Sequence, residues 1–196
     1  MKVVIVFHSV TGNGHLLARK FRDELQQPGT EVALLRVPDP LWKEMPDLSS
    51  VARDNLRAMR DLPEATSQAL TDAELIIMGA PTYFGNVSAP MKAFMDSTGG
   101  LWVKGLLAGK RFAAFTSAGN AEGGGDLCLQ ALHTYAKYMG MLSVPLPVTA
   151  VPGVNTPALG VVHYSAGKSA ETLDTGTARI ISGFSSFLRG CYGSGH

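Results

Sequence analysis

The chain has 196 residues, 45% of them hydrophobic and 17% charged, and 17 Lys+Arg against 16 Asp+Glu leave a net charge of +1. That length suits one domain with a sizeable core, and the neutral balance argues against a nucleic-acid binder and against a strongly acidic electron carrier. Cys128 and Cys191 are too few for a disulfide framework, and the apolar opening Met1–Phe7 is too short for a signal peptide or a membrane span, so a soluble cytoplasmic protein without membrane insertion is expected.

In chain order, Val3–Phe7 reads as a strand, and Leu17, Phe21 and Leu25 mark a helix that stops before Pro28-Gly29. Val32–Val37 is a second strand. Pro38–Pro63 forms an excursion holding a helix over 51–60, with Trp42 read as packing. Leu75–Met78 is a third strand, followed by a helix with Ser88 as cap, Pro90 in its first turn, and Met91 and Met95 in its core face. Phe112–Phe115 is a fourth strand. After Asp126, residues Cys128, Ala131, Leu132, Tyr135, Ala136 and Met139 share one helical face closed by Gly140. Leu142–Val148 is a fifth strand, Val151–Gly167 a long covering loop, and Leu173, Ile180, Ile181, Phe184, Phe187 and Leu188 a last helix ending before Gly190.

The strand runs are continuous rather than alternating, which is how strands buried on both faces read. Strand alternating with helix implies an α/β, doubly wound, five-stranded parallel sheet of order 2-1-3-4-5, with helices on both faces and a crevice at the strands' carboxyl ends. The expected organisation is one domain over 1–190 and a short tail over 191–196.

The unusual residues stand at those strand ends. His8-Ser9-Val10-Thr11-Gly12-Asn13-Gly14-His15 precedes a helix, with small side chains that let backbone N–H groups wrap an anion. The spacing matches neither a Walker loop nor a dinucleotide fingerprint, so a phosphate monoester fits; a plain turn with Ser9 or Thr11 as helix cap is the alternative. Gly79–Pro90 carries Tyr83 and Phe84 beside glycines, positioned to cover a planar ligand or fold back on the core. Thr116–Asp126 offers backbone donors to the edge of a heteroaromatic ring, or is a flexible linker. Five histidines are scattered without metal-ligand spacing, and no serine-nucleophile elbow surrounds Ser9 or Ser117. His133 reads as a structural or a surface residue and Cys128 as a small buried hydrophobe.

The first loop, the block Gly79–Asp96 with Thr98-Gly99-Gly100-Leu101-Trp102, the stretch Leu107–Lys110, Gly140-Met141 and the loop with Thr156-Pro157 and Gly160 together resemble the WrbA family of NAD(P)H:quinone oxidoreductases. The likeness covers nearly the whole chain and is weakest over Pro38–Pro63. It implies a flavodoxin-like fold, tightly but non-covalently bound FMN, and two-electron transfer from NADH or NADPH through the flavin to a quinone, with no catalytic side chain required. Ser9, Val10, Thr11, Gly12, Asn13, Gly14 and His15 would hold the phosphate. Pro81, Thr82, Tyr83, Phe84, Gly85 and Asn86 would flank the ribityl chain and ring; Ser117, Ala118, Gly119, Asn120, Gly123 and Gly124 would line the pyrimidine side. Phe84 and Trp102 would contact substrate, Trp102 from a neighbouring subunit of a homotetramer. Tyr83, where the family often has Arg, and Met139, where it has His, depart from its pattern. A flavodoxin-type electron carrier and a non-enzymatic FMN-binding regulatory module remain as alternatives.

Overall fold

The computed structural model describes residues 1–40, 48–154 and 156–193; Trp42 lies outside them. Strands β1 (Lys2–Phe7), β2 (Glu31–Arg36), β3 (Leu75–Tyr83) and β5 (Arg111–Ala118) run parallel in the order β2-β1-β3-β5, as the buried aliphatic runs require. Alternate residues of each strand feed opposite faces. Val4, Val6, Met78 and Phe112 pack with α4 (Ala89–Ser97) and α6 (Gly125–Tyr138), while Val3, Ile5 and Phe7 pack with α1 (Asn13–Leu25), α2 (Ser50–Arg60) and α7 (Thr175–Gly193). The Leu17-Phe21-Leu25 stripe is fully buried, and Phe21 meets Phe115 at 5.5 Å and Phe184 at 6.2 Å. Truncating Phe21 to Ala would cost on the order of 3–5 kcal/mol.

The sheet differs from the expected five strands. A two-residue strand β4 (Asn86–Val87) folds back antiparallel on Thr82 and Tyr83. The fifth position is shared: β6 (Leu142–Ser143) pairs with Arg111 and Phe112, and β7 (Val161–Tyr164) pairs with Phe115–Ala118. The expected strand over Leu142–Val148 therefore stops after Ser143. Pro145 and Pro147 have no N–H for the ladder, and Leu146 donates its N–H to Ala158 C=O instead. The expected loop Val151–Gly167 correspondingly contains β7. Strands β3 and β5 also extend further than expected, through Tyr83 and Ala118, so Pro81–Tyr83, Ser117 and Ala118 lie on strand ends rather than in loops. Helix α7 continues through Gly193, past the Gly190 where its pattern closes.

A short α3 (Ser67–Thr71) precedes β3, and α5 (Gly99–Val103) follows α4. Among the described residues no helix is long and apolar enough to cross a membrane.

Candidate functional site

Three strand ends converge as the doubly wound topology demands. The chain leaves β1 at His8 and turns into α1 through Gly12, whose φ of +104° only glycine adopts without strain. A Cβ there would lie 2.2 Å from Asn55 Nδ2, so the turn is packed shut from α2. Gly12 N–H donates to Ser9 Oγ at 3.1 Å, the first helical bond runs from Leu16 N–H to Gly12 C=O, and no side chain caps α1. The N–H groups of Asn13, Gly14 and His15 thus stand ahead of the ladder without helical acceptors. With no acidic side chain in the first turn, they present a positive helix end able to take a phosphate. Gly14 has the same tight fit, a Cβ there meeting His8 C=O at 2.9 Å. Neither Ser9 nor Thr11 caps the helix.

His15 is not available as a charged ligand. Its ring stacks on Phe7 at 5.6 Å, and burial, reinforced by Arg19 and Arg22, lowers its pKa to about 4. Asn13 turns its side chain away from the turn: its Nδ2 donates to Lys168 C=O at 2.8 Å and its Oδ1 accepts from Ala170 N–H at 3.0 Å. Asn55 Nδ2 donates to Thr11 C=O at 3.0 Å and Ala170 C=O at 3.2 Å. A fourth loop, after β7, is thereby tied to the first.

The second strand end makes a tight hairpin. Phe84 and Gly85 both have positive φ, +51° and +72°, and link the paired residues Tyr83 and Asn86. Such two-residue turns favour Asn and Gly, so Phe84 stores strain. Its side chain is 107% exposed and Tyr83 is 46% exposed, so the aromatics do not fold back on the core. Burial and the charge of Asp39 raise the Tyr83 pKa and keep its phenol neutral. Thr82 and Thr116 share a hydroxyl bond of 2.8 Å, and Thr116 donates onward to Ala80 C=O.

At the third strand end, Ser117 pairs with Pro81 on one side and His163 on the other, and Ala118 C=O accepts Ser165 N–H. Both residues are laddered, which leaves Gly119–Gly124 as the free backbone. Within it Gly123 N–H is used on Asn120 C=O. Gly124 caps α6 with φ +77°, and a Cβ there would meet Gly85 Cα at 2.9 Å, so the second and third loops touch glycine to glycine.

Beneath the first two loops lies a linkage the sequence reading missed. His8 Nε2 is 3.0 Å from Asp39 Oδ2 and His8 Nδ1 is 2.8 Å from Ser88 Oγ, all three side chains being buried. With Asp39 a carboxylate, Nε2–H donates and Nδ1 accepts the Ser88 hydroxyl. Burial lowers the His8 pKa against the opposing pull of Asp39. Ser88 is the N-cap of α4 by position, but its hydroxyl serves His8 rather than the helix. Asp39 in Pro38-Asp39-Pro40 carried a local signal; Asn55, Lys168 and Ala170 carried none.

Trp102 is 57% exposed on α5, separated from the hairpin by the nine-residue α4, about 14 Å of helix. Met139 is buried in the core at the C-terminal end of α6, the opposite end from the crevice. His133 is bonded to Ser143 and Leu159, and Cys128 is buried with its thiol pKa raised by desolvation. No group of three or more His, Cys, Asp or Glu among the described residues could hold a metal ion.

Residues 1–156 match the family described as NADPH-dependent FMN reductase. The chain belongs to that family. It is 40% identical to an NAD(P)H dehydrogenase (quinone) of Deinococcus radiodurans over 145 residues, 74% of this chain and 72% of the relative. A protein of the same description from Geobacter sulfurreducens is 38% identical over 148 residues, 75% and 72% of the two chains. Among solved structures, a WrbA-like flavodoxin protein from Agrobacterium tumefaciens superposes with a TM-score of 0.64 at 23% identity, covering 96% and 98% of the two chains. Flavodoxin 1 from Bacillus cereus does so with 0.63 at 17% identity, again covering 96% and 98%. The fold is flavodoxin-like, and the protein is an FMN-dependent, NAD(P)H-using oxidoreductase. The glycine-shaped first turn, the uncapped positive helix end and the exposed aromatic hairpin fit that cofactor.

Proposed function

We propose that this oxidoreductase is a WrbA-type NAD(P)H:quinone reductase that works as a cytoplasmic homotetramer. The relatives named NAD(P)H dehydrogenase (quinone) support the substrate class. The observation that carries the reading is Phe84, a large aromatic held fully exposed in a strained turn at the crevice edge. Strain of this kind persists where function uses it, and a planar substrate is what an exposed aromatic wall serves.

In this reading the N–H groups around Ser9–His15 hold the phosphate, with Asn13 and His15 contributing backbone only. Thr82 and Asn86 flank the ribityl chain, Pro81, Tyr83, Phe84 and Gly85 the ring, and Gly119, Asn120 and Gly124 offer donors to the pyrimidine edge beside the laddered Ser117 and Ala118. Bound FMN supplies the electron-transfer chemistry between nicotinamide and quinone. The chain's share would be to bind the ring between two loops that meet at Gly85 and Gly124 and to offer Phe84 as a wall for a planar substrate. Positioning of that kind is worth up to ~7–11 kcal/mol when alignment is near attack geometry.

A second copy completes the pocket. Between α4 and α6 lies a groove of about 570 Å³ in which Val87, Met95, Leu127 and Tyr135 stand beside the polar Lys92 and Asp96. Trp102, Val103 and Leu106 are exposed on and just after α5. Apolar surface of that extent is what assembly covers. Light scattering and Trp102→Ala kinetics test this together: a tetramer whose quinone KM rises while FMN stays bound supports it, and an active monomer indifferent to Trp102→Ala removes it.

A further inference from the structure

The first loop meets a phosphate dianion with a helix end and backbone donors but no cation of its own. Ser9–Gly14 carry no charged side chain, and His15 is kept neutral against Phe7. The fourth loop, joining β7 to α7, brings one. At Ser165–Lys168 the backbone makes a tight turn, with Ala166 at φ +50°, Gly167 at φ +70° and Lys168 N–H bonded to Ser165 C=O at 3.0 Å. The next residues are fastened to the phosphate loop itself. Asn13, the first residue of α1, accepts Ala170 N–H and donates to Lys168 C=O, while Asn55 bridges Thr11 C=O and Ala170 C=O.

These four bonds join residues up to 157 positions apart and use both polar ends of the Asn13 amide. They hold the Lys168 backbone beside the first turn of α1, its C=O 2.8 Å from Asn13 Nδ2. The Lys168 side chain is exposed and makes no ion pair among the described residues. Of the basic residues nearby, Arg53 is engaged on Leu48 C=O and Arg57 on Asp54, while Arg19 lies one turn further along α1, beyond His15.

We propose that Lys168 is the cationic arm of the phosphate subsite, its ammonium closing on the FMN phosphate while Asn13 and Asn55 hold its loop in place. The inference rests on the FMN reading above and adds a cation from the fourth loop to it. A lysine here acts as a mobile point charge and donor rather than as a rigid fork. It selects for the phosphorylated flavin without touching the ring, so its signature is discrimination between FMN and riboflavin.

The test is a fluorescence-quenching titration of the flavin-free full chain with FMN and, separately, with riboflavin. For Lys168→Met the FMN Kd should rise about ten-fold, as loss of a charge-assisted bond requires. The riboflavin Kd should stay at the wild-type value, the salt dependence of FMN binding should flatten, and Lys168→Arg should keep most of the FMN affinity. An unchanged FMN Kd overturns the proposal, and so does an equal loss for FMN and riboflavin, which would mean a packing role. A change confined to the NADPH-over-NADH preference would assign Lys168 to the nucleotide's phosphate and also overturn it. If the wild-type chain binds FMN no tighter than riboflavin, the phosphate assignment of the first loop fails, and Lys168 fails with it.

Discussion

Phe84→Asn should raise stability and lower turnover, because this residue is strained in the free chain. A non-glycine residue in the left-handed region costs roughly 1–2 kcal/mol, and Phe84 sits there with φ +51°. Its side chain is 107% exposed, so its removal forfeits no core contact. Asn tolerates the first position of this turn type, and the expected gain is about 1 kcal/mol, a Tm rise of roughly 2–4 °C for a chain of this size. Against that, burying a Phe ring on a substrate is worth about 1.5–3 kcal/mol, so kcat/KM for NAD(P)H and quinone should fall roughly ten- to a hundred-fold. Calorimetry of the flavin-free chain and steady-state kinetics of the loaded one measure the two effects separately. A variant that melts lower, or one that melts higher with undiminished kcat/KM, would refute the link between the strain and the substrate wall.

Gly12→Ala should destabilise the chain by about 1–3 kcal/mol and weaken FMN, since its Cβ meets Asn55 Nδ2 at 2.2 Å and its φ is +104°. Denaturant titration should show part of that loss recovered in an Asn55→Ala background. His15 gives a pH signature. With a folded pKa of about 4 against an ordinary 6.5, the unfolded chain binds more protons between those values, so stability falls as pH drops from 6.5 towards 4. Of that acid-induced loss, about 2–3 kcal/mol should be absent from His15→Phe in denaturation curves compared across this window. Asn13→Ala removes both ties from α1 to the fourth loop, and amide exchange over 165–170 should quicken by about ten-fold or more while the core strands stay protected.

The strands β1, β2, β3 and β5 were legible because strands covered on both faces must be continuous runs of aliphatic residues, and α1 because Leu17, Phe21 and Leu25 repeat at its period. The split fifth strand was not, because Leu142–Val148 is apolar throughout and only its two prolines mark where pairing ends. In the site, the glycines and aromatics showed where the crevice would be, since glycine at a strand end means close approach. They could not show that Ser117 and Ala118 are laddered, because β7 was hidden in a stretch rich in Pro and Gly. Nor could they show the fourth loop, whose bonds to Asn13 span 155 and 157 residues and leave no periodic trace. The Asp39–His8–Ser88 linkage is of the same kind, three buried side chains from three separate strand ends.

The central claim is tested most directly by an anaerobic absorbance experiment on the FMN-loaded protein. Stoichiometric NADH or NADPH should bleach the flavin band near 450 nm in one two-electron step, and one equivalent of a benzoquinone should restore it with release of the hydroquinone. A band that NADH and NADPH leave untouched, or one that bleaches but is not restored by quinone, would contradict the account.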